Sequence, residues 1–306
     1  MTDTHTPTSE DAQSPEERRK LARRTVLAAS SVAVTAVGVG SAFAATDGTT
    51  VSNEDTAAAS ASASEGACYT LTSELVEGPY YIDADKLRQD VTEDQEGIPL
   101  LLTLKVIDAE TCKPLRNAAV DIWHCNASGI YSGYEEMGSG GGGTPPTGEP
   151  PTDAPTGTPT GPPPGGGGGH QEPTDDTRYL RGTWHTDRHG HVTFRTVFPG
   201  WYQGRCVHIH VKVHVDGEWT DAGYEGGHTC HTGQLFFDEK SVLLSAEVEP
   251  YASNTTTRTT LDEDTIYPDN GHAGGLLYLK YDRHHIARGV RGRLTLGVEP
   301  DETNNG

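Results

Sequence analysis

The segment that decides the fold is Val207–Val215, which reads VHIHVKVHV. Apolar and polar side chains alternate through the whole segment, and a repeat of two is typical of a strand with one buried face. Successive side chains of a strand point to opposite sides, so His208 and His210 share one face and the aliphatic residues share the other. The segment therefore predicts a half-buried strand that presents a pair of histidines.

Six further segments are predicted as strands, because they are rich in β-branched or aromatic residues and are separated by clusters of Gly, Asp, Asn and Pro. They are Leu100–Asp108, Ala118–His124, His191–Phe198, Gln234–Asp238, Leu276–Tyr281 and Val290–Val298. A short helical turn is expected at Asp83–Asp90, and no long segment has a helical period. We predict an all-β fold, an antiparallel β-sandwich with long loops.

Two segments of low complexity lie outside this pattern. Residues 45–67 are mostly Ala, Ser and Thr and are predicted to be a disordered spacer. Residues 138–169 hold 13 Gly and 9 Pro, which predicts a mobile insert without a core. The piece before the insert is too small to bury a core alone. We therefore predict one sandwich domain, residues 68–300, interrupted by the insert.

Residues 1–44 predict an export signal of the twin-arginine type. Basic clusters at Arg18–Lys20 and Arg23–Arg24 precede an apolar stretch, Val26–Phe43, which ends in a small-x-small cleavage pattern. The stretch is too short and too weakly apolar to favour the alternative of a membrane anchor. We expect a secreted protein with no membrane contact after cleavage.

The net charge is −21, with 44 acidic and 23 basic residues. A nucleic acid or an anionic membrane surface is disfavoured as a partner, because binding to phosphates needs clusters of Lys and Arg.

The histidine pair alone does not decide the function. Two imidazoles side by side on a strand can offer two neutral nitrogens to a metal, but Lys212 and His214 continue the same face, as on a solvated surface. The segment His228–His231 (HTCH) is predicted to be a loop that holds a disulfide, with a second metal site as the alternative.

Three sequence blocks give the pair its context. They are Asp121–Tyr131 (DIWHCNASGIY), Phe198–His210 (FPGWYQGRCVHIH) and Gly233–Asp238 (GQLFFD). In this order they closely resemble the intradiol ring-cleavage dioxygenases, in particular the secreted branch of that family. The resemblance extends from Cys68 to Val298, the whole predicted folded part.

The resemblance implies a mononuclear non-haem Fe(III) with Tyr131, Tyr202, His208 and His210 as ligands and hydroxide as the fifth. Tyr134 is a rival for the first position, and Tyr131 is preferred because it ends the Asn-x-x-Gly-x-Tyr element. Phenolate and imidazole donors suit Fe(III) better than Cu(I) or a zinc–thiolate site. The implied reaction is the cleavage of a catechol by O2 between its two hydroxyls, which gives a cis,cis-muconate-type product.

The resemblance also implies catalytic roles for three residues. Tyr202 would accept a catechol proton, Arg205 would stabilise the anionic ring, and Gln234 would lie near the substrate. His124 is expected either to support a ligand or to pack in the core, and Trp123 and Phe236–Phe237 are expected in the core.

Several alternatives stay open. The chain could be a non-catalytic secreted β-sandwich binding protein that retains the metal site, or a copper or zinc hydrolase. No helical dimerisation segment like that of the family's catechol enzymes is visible, so either a monomer or a dimer is possible. The net charge favours a small neutral catechol over an anionic one.

Five cysteines remain after the export signal: Cys68, Cys112, Cys125, Cys206 and Cys230. An oxidising compartment permits disulfides, and the odd number leaves at least one thiol unpaired within the chain. We predict a Cys68–Cys112 bond, because both lie in the N-terminal folded piece outside the three blocks. Pairing among the other three stays open.

Overall fold

The computed structural model describes residues 50–52, 69, 71–83, 86–138, 171–267 and 275–304. The chain divides after residue 47 into two units, and every described residue belongs to the second. The predicted export signal, most of the predicted spacer and all but the first residue of the Gly/Pro-rich insert lie outside the described residues. The predictions made for them stay predictions.

Nine strands are present in the described part of the chain. In chain order they are β1 (Thr50–Ser52), β2 (Pro99–Asp108), β3 (Ala119–Trp123), β4 (Arg181–His185), β5 (His191–Val197), β6 (His208–Trp219), β7 (Tyr224–Phe236), β8 (Tyr278–Asp282) and β9 (Val290–Val298). One short α-helix, α1, spans Glu239–Ser245 and begins at Asp238, whose side chain accepts a hydrogen bond from the Ser241 N–H. Single 3₁₀ turns occur at Glu135–Met137, Tyr251–Ser253 and Ile286–Arg288.

The strands form two sheets, with spatial orders β1-β8-β9-β2-β5 and β4-β3-β6-β7. The predicted all-β class is confirmed. One pairing differs from the purely antiparallel prediction: β2 and β9 run parallel, from Leu100 opposite Val290 to Asp108 opposite Val298. The strands β3 and β4, on either side of the insert, are neighbours in one sheet.

Three local predictions are wrong, and tertiary pairing explains each. The segment predicted as a helical turn at Asp83–Asp90 has no helix among its described residues; it bridges Leu87 to Thr183 and Asp90 to Arg195. The segment His228–His231, predicted as a loop, lies inside β7, paired with β6 across a bulge.

The third correction concerns the predicted spacer. Within it, Thr50–Ser52 form β1, which pairs antiparallel with β8 at the edge of the larger sheet. An edge strand offers unpaired N–H and C=O groups, and the β-branched residues Thr50 and Val51 suit pairing with them.

The core lies between the two sheets, where the alternating patterns meet. Leu102 and Leu104 of β2 and Ile209 and Val211 of β6 are all fully buried. Burial of such a side chain contributes about 1.5–3 kcal/mol. Because the odd-numbered residues of β6 fill the core, its histidines must face the other side of the sheet.

The segment 71–83 covers part of that other side. The Leu75 N–H donates to the Thr232 carbonyl of β7, and Gly78 approaches the His210 ring. The histidine pair is thereby buried, so the predicted alternative of a solvated face is wrong: His208 is 2% exposed and His210 is 3% exposed. No helix in the described part of the chain is long and apolar enough to cross a membrane.

Candidate metal centre

Four side chains bring their donor atoms together on the outer face of the smaller sheet. The Nε2 atoms of His208 and His210 are 3.1 Å apart. The Tyr131 hydroxyl lies 3.4 Å from His208 Nε2 and 3.2 Å from His210 Nε2, and the Tyr202 hydroxyl lies 3.4 Å from His208 Nε2. These are the four residues that the family resemblance implies as iron ligands.

The two histidines come from adjacent same-face positions of β6. His210 is paired with Trp123 of β3 on one side and with Gln234 of β7 on the other. His208 Nδ1 lies 2.6 Å from the Cys206 carbonyl, so Nδ1 carries the proton and Nε2 keeps a free lone pair. The sheet therefore fixes the position of both rings.

Tyr131 is held by a tight loop that follows β3. The Asn126 side-chain oxygen accepts the N–H groups of Ser128 and Ile130, and Gly129 takes a left-handed conformation at φ 82°. Such a loop needs a short polar residue at its start and a glycine inside it. This explains the Asn-x-x-Gly-x-Tyr spacing.

Tyr202 comes from a second loop, which packs directly on the first. The Gly200 N–H donates to the Asn126 carbonyl at 3.1 Å. A Cβ atom at Gly200 would lie 2.2 Å from the Ala127 carbonyl oxygen. Only glycine permits this approach, which sets the distance between the two tyrosines.

The donors are neutral in the protein alone. Burial lowers the pKa of His208 and of His210, so both imidazoles are uncharged near neutral pH. Burial also raises the pKa of Tyr131 and Tyr202, and Arg205 opposes the shift at both. The donor set is therefore two neutral imidazoles and two phenols. A strongly charged, hard cation bound to them can convert the two phenols to phenolates.

This arrangement fits a single Fe(III). His208 Nε2 lies within 3.1–3.4 Å of each of the other three donors, so all four can reach one ion between them. Within the described residues no group of three His, Cys, Asp or Glu side chains could hold a metal.

Arg205 is anchored beside the four donors. Its Nε donates to Asp264 Oδ2 at 2.9 Å, and its Nη2 donates to the Gln234 side-chain oxygen. Gln234 in turn donates to the Val76 carbonyl. Sequence reasoning named Arg205 and Gln234 but not Asp264, which lies more than 50 residues away along the chain.

The remaining sequence candidates lie outside the four-donor group. The Tyr134 hydroxyl donates to the Gln171 carbonyl. His124 is fully buried and bonds to Thr196 and to the Cys125 carbonyl, which is ordinary core packing. Phe236 and Phe237 are buried, as expected.

The HTCH histidines have separate partners. His228 bonds to the Pro300 carbonyl, and His231 bonds to Glu74. Cys125, Cys206 and Cys230 are free buried thiols, so the disulfide expected at HTCH is wrong. Cys112 is not among the free thiols, and Cys68 lies outside the described residues.

Two contacts of the site were missed from the sequence. Trp123, expected only as core, stacks on His210 with its ring centroid 4.8 Å away. The Tyr80 ring packs against Tyr131 with a centroid distance of 4.8 Å and a tilt of 30°. The run Glu77–Tyr81 (EGPYY) was the available signal, since two tyrosines after a Gly-Pro turn are unusual in a covering loop.

Comparison with known proteins identifies the family. An intradiol ring-cleavage dioxygenase from Tetranychus urticae, known by structure, is 31% identical, and the match covers 77% of this chain and 98% of that one with a TM-score of 0.60. The chain belongs to the intradiol ring-cleavage dioxygenases. A second dioxygenase crystal structure is also 31% identical, with the same coverage and a TM-score of 0.59.

Two shorter matches agree with the family. A protein-family model described as dioxygenase matches residues 76–141. This range includes most of the segment 71–83 that covers the histidines, and it includes the Tyr131 loop. Catechol 1,2-dioxygenase from Acinetobacter baylyi is 38% identical over 72 residues, which is 22% of this chain and 23% of that enzyme. The chain thus aligns with less than a quarter of that curated relative.

Proposed function

We propose that the chain is an Fe(III)-dependent dioxygenase that uses O2 to cleave a catechol between its two hydroxyls, giving a cis,cis-muconate-type product. The convergence of the Tyr131, Tyr202 and His210 donors on His208 Nε2, each within 3.1–3.4 Å, is the observation that carries the proposal. A non-catalytic binding protein has no need of two buried tyrosines whose loops are locked together.

Fe(III) held there would chelate the catecholate and make its ring reactive towards O2. The protein has to remove two protons from the catechol, and Tyr202 is suited to accept one of them. The Tyr202 side chain is the most exposed of the four, at 8%. Burial raises the pKa of Tyr202, so a Tyr202 phenolate would be a strong enough base for a catechol hydroxyl.

Arg205 supplies positive charge where the ring becomes anionic. The contacts with Asp264 and Gln234 hold the guanidinium in one orientation, and a preorganised charge costs no reorganisation during reaction. Gln234 would therefore act by holding Arg205 at the substrate rather than by touching a reacting atom.

The proposed substrate is a small neutral catechol. Two arginines near the centre could in principle bind a substrate carboxylate, but both are engaged. Arg181 donates to the Ser132 hydroxyl, the Ser132 carbonyl and the Tyr80 carbonyl, and Arg205 is paired with Asp264. The net charge of −21 adds a repulsion for anions, which salt screens beyond about 8–10 Å.

We further propose that this enzyme acts outside the cell after export by the twin-arginine route, carries the Cys68–Cys112 disulfide, and works as a monomer or a dimer. The basic clusters and the cleavage pattern of residues 1–44 support export. Acquisition of iron before export would explain transport in the folded state.

Product analysis tests the reaction. The purified chain, reconstituted with iron, is given catechol while oxygen uptake and the ultraviolet band of muconate are followed. Stoichiometric uptake with muconate supports the proposal. Cleavage beside the hydroxyls would contradict it, and binding of catechol without oxygen uptake would favour the binding-protein alternative.

A further inference from the structure

The two histidines of the centre are held in different ways. His208 Nδ1 is bonded to the Cys206 carbonyl, whereas His210 Nδ1 is buried and has no hydrogen-bond partner. Histidines that bind metals usually donate their second ring N–H to a fixed acceptor, which sets the orientation of the ring. Another contact must therefore orient His210.

Trp123 makes that contact. Its ring is nearly parallel to the His210 imidazole, with an interplanar angle of 9° and a centroid distance of 4.8 Å. The two residues are direct partners in the register of β3 and β6. Behind Trp123, Tyr81 packs edge-on at 4.9 Å, and the Lys212 ammonium lies 4.1 Å from the Tyr81 ring.

We propose that Trp123 is a positioning residue that stacks on His210 and aims its Nε2 at the shared metal position, in place of the missing hydrogen bond. Rotation of an imidazole about its last side-chain bond is soft, and a flat partner at stacking distance restricts it. The inference rests on the proposed iron centre.

The test compares Trp123→Leu, Trp123→Met and Trp123→Phe, with iron content, the visible tyrosinate-to-iron absorption band and the electron paramagnetic resonance spectrum as readouts. Trp184→Leu is the matched control, because Trp184 stacks on His185, which is not a ligand. Loss of ligand support typically costs 10–100-fold in metal affinity. We expect at least a tenfold loss of iron affinity and a shifted absorption band in Trp123→Leu and Trp123→Met. Trp123→Phe and Trp184→Leu should stay near the wild-type values.

Folded Leu or Met variants with full iron and an unchanged spectrum would overturn the inference. If Trp123→Leu does not fold, Trp123→Met carries the test, because it fills space without an aromatic face. A wild-type protein without any iron band would instead overturn the proposed function, so the two failures are distinguishable.

A second, independent observation concerns the outer face of the larger sheet. Lys280 of β8 is directly opposite Arg291 of β9, Arg291 is opposite Leu101 of β2, and Leu101 is opposite Arg195 of β5. In the adjoining rows the same face also carries Arg293 and Lys105. These five basic residues are called here the basic face: Lys105, Arg195, Lys280, Arg291 and Arg293.

The basic face has carboxylates at its margins, such as Asp90, which is paired with Arg195 in an isolated β-bridge. None of its five residues forms an ion pair with a carboxylate in the described part of the chain; Asp282, at its margin, pairs instead with Arg288 and His285. Like charges directly opposite each other destabilise a sheet. A cluster of cations without ion pairs, on a chain of net charge −21, is suited to an anion.

A cavity of about 420 Å³ adjoins this face. Lys280, Arg288 and Arg291 line it, together with Leu101, Tyr281 and Asp282, whose carboxylate is paired with Arg288. Lys280 and Arg291 are direct partners on neighbouring strands, which lie about 4.8 Å apart. This spacing is of the order of one carboxylate per sugar ring in an acidic polysaccharide.

We infer that the basic face binds a polyuronate chain, with one sugar carboxylate in the cavity. Duplex nucleic acid fits less well, because its charge density of about one per 1.7 Å increases repulsion by the rest of this acidic chain. The inference does not depend on the proposed reaction.

Binding to polygalacturonate is measured by calorimetry at low and physiological salt, with dextran and polyglutamate as comparison polymers. We expect the triple variant Lys280→Gln, Arg291→Gln, Arg293→Gln to bind at least tenfold more weakly, while Lys113→Gln, Arg116→Gln, Arg188→Gln binds like wild type. Equal weakening in both triple variants, no binding to polygalacturonate, or equally tight binding to polyglutamate would overturn the inference.

Discussion

Arg205 Nε donates a hydrogen bond to Asp264 Oδ2 across 2.9 Å, and the carboxylate of this pair is completely buried. The same oxygen accepts the Cys206 N–H, and Oδ1 accepts the N–H groups of Ile266 and Tyr267. One side chain thus ties a distant loop to the turn that leads into the ligand strand. Asp264 holds both the Arg205 guanidinium and the backbone next to it.

The substitution Asp264→Asn is expected to lower kcat/KM about tenfold and the unfolding free energy by about 2 kcal/mol, since it leaves the mostly buried Arg205 without a charged partner. Asp262→Asn, an exposed neighbour in the same loop, is the matched control. Steady-state kinetics and denaturant unfolding check both values. Equal stability of the two variants at pH 7 would show that the Arg205–Asp264 ion pair does not stabilise the fold.

The stability difference should depend on pH. Burial opposes ionisation of Asp264, but Arg205 and the three backbone N–H donors outweigh it and hold its pKa well below the usual value. A lowered folded-state pKa adds stability above the unfolded pKa of about 3.9, and this stability is lost as the pH falls below it. Wild type and Asp264→Asn should therefore converge in stability below about pH 4. A gap that widens towards acid would contradict this.

Gly200→Ala tests the contact between the two tyrosine loops. The new Cβ would meet backbone oxygens of Ala127 and Asn126 at 2.2 and 2.6 Å, which cannot move cheaply. We expect a loss of about 1–3 kcal/mol in unfolding free energy, together with weaker iron binding. Gly292→Ala, whose nearest contacts are 3.5 Å away, should change neither property.

The Cys68–Cys112 bond would close a loop of about 45 residues and stabilise the protein by roughly 4 kcal/mol in the chain-entropy model. Cys112→Ser should therefore lower the unfolding free energy of the oxidised protein by about that amount and leave the reduced protein unchanged. Peptide mapping is the direct check. Alkylation of both cysteines without prior reduction would show that they are not bonded.

Catechol should be preferred over protocatechuate in kcat/KM, because the two arginines near the centre are already engaged and the net charge repels a carboxylate. Oxygen uptake with the two substrates side by side, at low and high salt, measures the preference. A tenfold preference for protocatechuate would defeat the charge argument.

The sequence predicted the sandwich and the four-donor site because both depend on local patterns. Alternation in Val207–Val215 determines which face of β6 is buried, and the Asn126 loop has its own turn chemistry. Strand β4 was missed because Gly182 interrupts it. That glycine is required by close packing against Val91, a contact no local pattern shows.

The remaining features arise from contacts between distant segments. Asp264 reaches Arg205 from 59 residues away, and Glu74 reaches His231 from 157 residues away. The stacking of Trp123 on His210 depends on the register of two strands joined by a long connection. A sequence indicates that such residues are buried or polar but does not indicate which partner each one meets.

Metal analysis combined with visible spectroscopy tests the central claim most directly. The wild-type chain, loaded under competition between iron, zinc and copper, should bind one iron per chain and show a tyrosinate-to-iron charge-transfer band. Tyr202→Phe, which removes one of the two proposed phenolate ligands, should shift that band and greatly reduce catechol turnover. An active, colourless protein with stoichiometric zinc or copper, or a band unchanged by Tyr202→Phe, would contradict the assignment of this centre.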